Sequence, residues 1–264
     1  MIRFEDVTVR YTGAKREALA GVSFEAPRGQ LTAIAGPNGS GKSSCVRALL
    51  GRAPLVRGRV LIDEHDRAAL DARAFARSVA VVTQREEPTF PLMVRAYVAL
   101  GRHPYQSPWR ADAARDAAAV SAALERAEIT ELADRSTATL SGGEWQRARV
   151  ARALAQEGEA LVLDEPSTFL DVAHEMALFE LLAGIAAAGH AVLLVSHQLN
   201  LVARFADRLV LLDGGQVAAT GTPAAVMDGP TLERVYRWPL VVTRDPAVGS
   251  PTLVPLRRSA GAAR

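Results

Sequence analysis

An apolar run, Leu31 to Ala35, delivers the chain into Gly36-Pro37-Asn38-Gly39-Ser40-Gly41-Lys42-Ser43, and a helical-looking segment, Ser44 to Leu50, follows at once. A strand, a glycine-rich turn and a helix in that order are the setting of a phosphate-binding loop and commit the chain to an α/β core. Gly36, Gly39 and Gly41 allow backbone angles closed to other residues, so main-chain N–H groups can face phosphate oxygens. The following helix presents its positive end to the same anion. Lys42 is placed to reach the β/γ-phosphates, and the Ser43 hydroxyl to hold a Mg²⁺, which prefers oxygen ligands. With Pro37, Asn38, Ser40 and Ser44 the stretch forms the candidate nucleotide-binding segment. A glycine-rich turn that binds nothing has no need of the full pattern.

Of the 31 basic residues only Lys15 and Lys42 are lysines. Where arginine is the default cation, a lysine at 42 marks a place that takes a compact point charge and not a planar fork.

The 264 residues suffice for one large α/β domain, or a domain with a smaller insert. A content of 49% hydrophobic and 23% charged residues argues against both disorder and a membrane-embedded chain. No apolar run reaches the roughly 18 residues that cross a bilayer. Arg3, Glu5 and Asp6 interrupt the segment where a signal peptide would be apolar, so the chain is expected to remain in the cytoplasm. Cys45 is the single cysteine, in keeping with a reducing compartment, and is expected to pack as a small hydrophobe. A net charge of +2 with dispersed arginines argues against nucleic acid as a partner.

Alternation over residues 2–11 predicts a half-exposed strand, and Val22 to Ala26 another, antiparallel material ahead of the core. Arg59 to Asp63 and Val79 to Gln84 read as further strands. Prolines 88, 91, 104 and 108 break the chain between 85 and 110, and 112–132 follows an alanine-rich amphipathic helix pattern, so 85–140 reads as a mainly helical insert. The core resumes with a helix from about Glu144, a strand Ala160 to Leu163, a helix Val172 to Ala188 and a strand Ala191 to Val195. Such alternation predicts a mostly parallel sheet. Asp213-Gly214-Gly215 is a hairpin signal and Thr222-Pro223 a helix start. The domain is expected over 1–240, and 241–264, with Pro246, Pro251 and Pro255, as an extended tail with a disordered end.

Leu161-Val162-Leu163 delivers Asp164 and Glu165 at a strand's carboxyl end, where ligands bind in open parallel sheets. Asp164 suits the acid that holds Mg²⁺ beside a phosphate loop, and Glu165 the base or orienter of an attacking water. His197 ends the next apolar strand and should emerge on the same edge, within reach of a γ-phosphate. Gln84, at another strand end, is a candidate ligand of Mg²⁺ or water. Leu140-Ser141-Gly142-Gly143-Glu144 reads locally as a helix start, Ser141 being the N-cap and Glu144 its capping-box partner. Two glycines are poor choices for a first helical turn, however, and their exposed N–H groups suit a second phosphate contact.

With these motifs the chain resembles the ATP-binding-cassette ATPases over nearly its whole length, Leu140 to Glu144 matching the family's signature motif. The resemblance implies an α/β phosphate-loop NTPase fold with a mostly parallel sheet, an antiparallel amino-terminal β-subdomain and a helical insert, acting on ATP and Mg²⁺. It also implies that Ser141, Gly142 and Gly143 meet a nucleotide held by another subunit, so that two copies close head to tail over two ATP molecules. By position, Tyr11 looks like the aromatic that stacks on adenine, Gln84 the Q-loop glutamine, Glu165 the catalytic glutamate, Asp171 the D-loop aspartate and His197 the switch histidine. Phe169 stands where smaller residues are often found.

A cassette without a membrane segment must borrow its pore, so the resemblance implies membrane permease subunits as partners and a peripheral place on the cytoplasmic face of the inner membrane. Pro88 to Tyr97 is the candidate docking surface, unless its apolar residues serve as local core. Gly101-Arg102-His103-Pro104-Tyr105, Trp109 and the tail from Arg244 to Pro255 resemble the subfamily that energises uptake of iron-siderophore complexes, haem and cobalamin, with an extracytoplasmic binding protein. An exporter subunit, a soluble cassette ATPase of repair, translation or cofactor assembly, and a small-molecule kinase remain as alternatives, the kinase disfavoured by the Ser141-Gly142-Gly143 and Asp164-Glu165 motifs.

Overall fold

The computed structural model describes residues 1–84, 91–106, 112–168 and 170–257. Pro88, Pro108, Trp109, Phe169 and the last residues of the tail therefore lie outside the described residues. Two antiparallel strands, β1 (Ile2–Val9) and β2 (Leu19–Ala26), precede β3 (Leu31–Ala35), the glycine-rich turn and α1 (Lys42–Leu49). β4 (Leu55–Ile62) and the short β5 (His65–Asp66) complete an antiparallel sheet ordered β2-β1-β4-β5. β1 is interrupted at Asp6, whose φ of 52° accompanies a shift of register between Phe4 and Val7.

α2 (Ala72–Ser78) leads into β6 (Val79–Val82); α3 (Val94–Ala99), α4 (Ala113–Arg126) and α5 (Gly142–Ala155) follow. Next come β7 (Ala160–Asp164), α6 (Val172–Ala187), β8 (Ala191–Val195), α7 (Leu199–Phe205) and the hairpin of β9 (Arg208–Asp213) and β10 (Gln216–Gly221). The second sheet runs β10-β9-β3-β8-β7-β6, parallel throughout except for β10. Its strands alternate between two cores, as a pleat with period two requires. Ile34, Val162, Val195 and Val210 pack against the antiparallel sheet and α1, whose Cys45 is wholly buried. Leu31, Leu161, Leu163 and Leu194 pack against Leu178, Phe179 and Leu182 of α6 and Val202 of α7.

Between β6 and β7 a third core gathers Val94, Tyr97 and Val98 of α3, Val120 and Leu124 of α4, and Ala148, Ala151 and Ala155 of α5. The expectation that prolines break the chain up to residue 110 is too broad. α3 forms there because its buried residues recur at i, i+3 and i+4, a short helical face. Pro104 lies inside a 3₁₀ turn, Leu100–Tyr105. Arg102 anchors this turn: its guanidinium, 1% exposed, donates to Asp116 of α4 (2.8 Å), to Glu157 (2.7 Å) and to the Ala155 carbonyl (2.7 Å).

The tail is more ordered than an extended strand. After the short helices α8 (Pro223–Val226) and α9 (Gly229–Tyr236), β11 (Leu240–Arg244) and β12 (Pro251–Pro255) pair as an antiparallel hairpin. Asn200 of α7 holds β12 by its amide, accepting from the Leu253 N–H at 2.9 Å and donating to its carbonyl at 3.3 Å. Prolines at both ends of β12 suit an edge strand.

Candidate functional site

In the order β3-β8-β7-β6 four neighbouring parallel strands point their carboxyl ends one way. Ile34 and Asp164 both register with Val195, and Leu163 with Val82. The residues just beyond these ends are Gly36, His197, Glu165 and Gln84, so strands far apart in sequence bring one motif each to a single edge.

At Gly36 (φ 146°) a Cβ would lie 2.2 Å from the Leu212 carbonyl oxygen, so only glycine can leave β3 there. Gly41 (φ 108°) is the N-cap of α1 and offers no side-chain cap, and its missing Cβ would strike Leu19 and the Ala18 carbonyl. The first-turn N–H groups of α1 therefore lack the side-chain acceptor that commonly satisfies a helix start, which suits them to an anion. A cleft of about 220 Å³ opens at this point, lined by Ala18, Asn38, Gly39, Gly41, Lys42, Ser43, Ser44 and Glu165. The Ser43 side chain is exposed on it, whereas Ser40 is turned inward, 1% exposed, its N–H donated to the Pro37 carbonyl at 3.1 Å.

Lys42 Nζ donates to the carbonyls of Gly36 (2.8 Å) and Pro37 (3.0 Å), so the loop wraps its own cation. Burial pushes this ammonium below the usual lysine range, and the charges of Glu165 and Asp164 counter the effect. Asp164 moves upward, first by burial and then by the neighbouring Glu165 carboxylate, with Arg47 and Lys42 opposing. Two acids and one lysine thus share a partly desolvated corner to which a divalent cation would add compensating charge.

Glu165 sits at φ 47°, a left-handed conformation uncommon for a residue with a side chain. The Val195 carbonyl accepts its N–H at 2.9 Å and the Thr168 hydroxyl donates to its carbonyl at 3.0 Å, fixing the turn. Its Oε2 accepts the Gln84 amide at 2.8 Å and lies 3.9 Å from His197 Nδ1. Base candidate, strand-end amide and strand-end imidazole are therefore one cluster beside the phosphate loop. Tyr11 stands beside the first turns of α1, its hydroxyl 3.3 Å from Ser44 Oγ and the Arg47 guanidinium 5.9 Å from its ring.

Ser141 caps α5 with the capping box expected from sequence: its Oγ accepts from Glu144 N–H at 3.3 Å, and Glu144 accepts from Ser141 N–H at 2.7 Å. That N–H, with Arg135 behind it, holds the Glu144 carboxyl below its usual range. Asp171 caps α6. Ser141, Gly142, Gly143 and Asp171 do not line the cleft that Lys42 lines, so within one chain the start of α5 stands apart from that cleft.

Sequence reasoning missed the link between α5 and the end of β6. Arg149 of α5, 5% exposed, donates to the Thr83 carbonyl beside Gln84 and to Gln146 Oε1 at 2.6 Å. The signal was available as two polar residues at i and i+3 on the buried face of α5. A larger cavity, about 630 Å³, lies between α7 and the carboxy-terminal hairpin and also reaches His197, but its lining carries no lysine or arginine to meet a phosphate.

The profile of the family described as ABC transporter matches residues 19–168. The hemin import ATP-binding protein HmuV of Nocardia farcinica is 40% identical over 93% of this chain and 85% of its own. The ferric enterobactin transport ATP-binding protein FepC of Escherichia coli is 36% identical over 98% and 95%. Among solved structures, the ADP conformation of MJ1267, an ATP-binding cassette of an ABC transporter, superposes with a TM-score of 0.80 at 25% identity over 90% and 98% of the two chains. The dimeric structure of MJ0796, a bacterial ABC transporter cassette, superposes with a TM-score of 0.70 at 28% identity over 84% and 99%.

Proposed function

This chain belongs to the ABC transporter family, and on that premise we propose that it is the ATP-hydrolysing subunit of an importer for haem, an iron-siderophore complex or cobalamin. One observation carries the ATPase reading: Gln84, Glu165 and His197 meet at the edge of the cleft that Lys42 and the uncapped N-terminus of α1 line. The chain's relatives are named for hemin, ferric enterobactin and cobalamin transport, which supports the cargo class.

In this reading the loop from Gly36 to Ser44 binds the triphosphate through backbone N–H groups and Lys42, and Tyr11 faces the base. Ser43, Asp164 and Gln84 provide oxygen donors for Mg²⁺. Among the described residues no cluster of three or more His, Cys, Asp or Glu side chains could hold a metal alone. A Mg²⁺ bound there therefore depends on phosphate oxygens, as is usual for this ion, and would supply charge neutralisation at the β/γ-phosphates. Glu165, held by Gln84, orients and deprotonates a water. His197, 54% exposed at the mouth, stabilises charge on the γ-phosphate. Ser141 and Gly143 stand apart from this cleft and complete the equivalent cleft of a second copy, so two chains pair head to tail, with Asp171 at the junction.

No helix among the described residues is long and apolar enough to cross a membrane. We therefore assign the pore to separate permease subunits, place this chain on the cytoplasmic face of the membrane and expect an extracytoplasmic binding protein to select the cargo. Exposed Met93 and Leu100, beside Leu92, extend from the candidate docking segment, whose first residues lie outside the described ones. Tagging the chain in its host, extracting membranes in mild detergent and identifying the co-purifying proteins tests this. Recovery of a polytopic permease supports transport; recovery only without any membrane protein overturns the importer and keeps the ATPase.

A further inference from the structure

Gly143 is helical, and nothing in its backbone angles calls for glycine. Space does. A Cβ on Gly143 would lie 1.9 Å from Cδ2, 2.5 Å from Nε2 and 2.6 Å from Cγ of His174. The imidazole belongs to the first turn of α6 and lies directly on the glycine. Its Nδ1 is 2.7 Å from Oδ1 of Asp171, and the same oxygen accepts the His174 N–H at 2.9 Å. One carboxylate oxygen thus caps α6 and orients the ring. These hydrogen bonds, that of the backbone first, hold Asp171 below the usual carboxylate range, so it is an acceptor at neutral pH and Nδ1 carries the donor hydrogen. Leu170 makes a second, looser contact, with its Cδ2 4.0 Å from where a Gly142 Cβ would be.

A flat ring with a donor at one edge meets both demands at this spot. It touches a glycine across its face while tied to a carboxylate at its rim. An aliphatic side chain would lose the tie, and alanine would leave a void beneath the start of α5.

We propose that His174 is a positioning residue for ATP hydrolysis: its imidazole, oriented by Asp171, is the seat on which Gly143 rests, and so sets where Ser141 and the N-terminus of α5 stand relative to residues 170–171. The proposal rests on the reading that Ser141 and Gly143 meet the nucleotide of a second copy. A misplacement of about 1 Å in a reacting geometry can cost about 100-fold in rate, so a lost seat should show in turnover and not in nucleotide capture by the phosphate loop.

The test compares full-length wild type, His174→Ala, His174→Asn, Gly143→Ala and the double variant Gly143→Ala/His174→Ala. Turnover is measured against ATP concentration with Mg²⁺, and a fluorescent ATP analogue reports affinity at the phosphate loop. His174→Ala is expected to lower kcat by about 10-fold or more with analogue affinity within about twofold. His174→Asn, whose amide can still donate to Asp171, should recover part of the loss. Gly143→Ala should lose activity because of the ring, and adding His174→Ala should restore at least about threefold of it, a rescue that general destabilisation would not give. Wild-type turnover in His174→Ala, or no rescue of Gly143→Ala, overturns the proposal. If His174→Ala does not fold, wild-type turnover in His174→Asn combined with a Gly143→Ala that is fully active overturns it instead. Glu165→Gln separates the two ideas through ATP-driven dimerisation. If Glu165→Gln stays monomeric with ATP, the paired-site reading fails. If it dimerises, the reading stands, and the turnover and rescue of the His174 and Gly143 variants then decide the seat alone.

Discussion

The Gln84 side-chain amide donates to Glu165 Oε2 across 2.8 Å and so joins the end of β6 to the end of its neighbour β7. Glu165 is already held in a left-handed turn by Thr168 and the Val195 carbonyl, so this bond fixes where the carboxylate points.

Removing either end of this bond should separate chemistry from binding. Glu165→Gln is expected to keep ATP affinity and to lose about 10²–10⁴-fold in turnover, the range typical of a positioned proton acceptor. Gln84→Ala should retain affinity and lose turnover more mildly, by about 10-fold, because it orients the carboxylate without being the base. Single-turnover hydrolysis beside nucleotide titration checks both; near-normal hydrolysis in Glu165→Gln would remove that residue from its role.

Lys42 should tolerate neither alanine nor arginine. Its ammonium is enclosed by the Gly36 and Pro37 carbonyls at 2.8 and 3.0 Å and the residue is 7% exposed, a cradle for a compact cation and too tight for a guanidinium fork. Both variants are expected to weaken ATP binding by at least about 100-fold, the scale of a lost buried charge-assisted contact. Calorimetric titration decides, and full affinity in Lys42→Arg would refute the steric part.

Arg102 should matter to stability and not to nucleotide affinity. Its buried guanidinium joins α4, the end of α5 and Glu157, so Arg102→Ala strands two carboxylates and a carbonyl. A cost of about 2–3 kcal/mol is expected, at or below the usual range for a broken buried pair because Asp116 and Glu157 reach solvent. Urea unfolding measures it. An unchanged midpoint would mean that the turn is held by packing alone.

His190 should make the fold acid-sensitive. Its Nε2 is 3.3 Å from Arg126 Nη1 of α4 and its Nδ1 3.1 Å from the Gly158 carbonyl; burial, then the Arg126 charge, hold its pKa below the ordinary value near 6.5, with the Gly158 hydrogen bond and Glu159 opposing and Arg28 adding to the effect. The unfolded chain therefore takes up the proton first, so this contribution to stability is complete above about pH 6.5 and declines as pH falls below it. Between pH 7 and pH 5 the urea midpoint of the wild type should fall more steeply than that of His190→Gln. Parallel profiles would exclude this histidine as the cause.

Much of the site was legible because its motifs are local. A strand–glycine–helix junction, two acids closing an apolar strand, and Ser141 with Glu144 three residues on each carry their geometry within a few residues, through backbone angle, strand direction and cap chemistry. The alternation of strands and helices likewise foretold the parallel sheet. The carboxy-terminal hairpin was illegible, since its prolines read as an extended tail, whereas β12 pairs with β11 along its length and is docked by the Asn200 amide of α7, 53 positions away.

Sequence by itself determined which chemical groups are candidates to meet a phosphate: a lysine, two strand-end acids, a histidine and the glycine-led start of α1. Only the tertiary structure decided their company. The strand order β3-β8-β7-β6 sets Gln84 against Glu165, and the packing of α6 on α5 puts His174 on Gly143. The physical reason is that strand pairing and helix packing are contacts between distant segments, whose partners are chosen by the burial of whole faces and leave no mark at any single position.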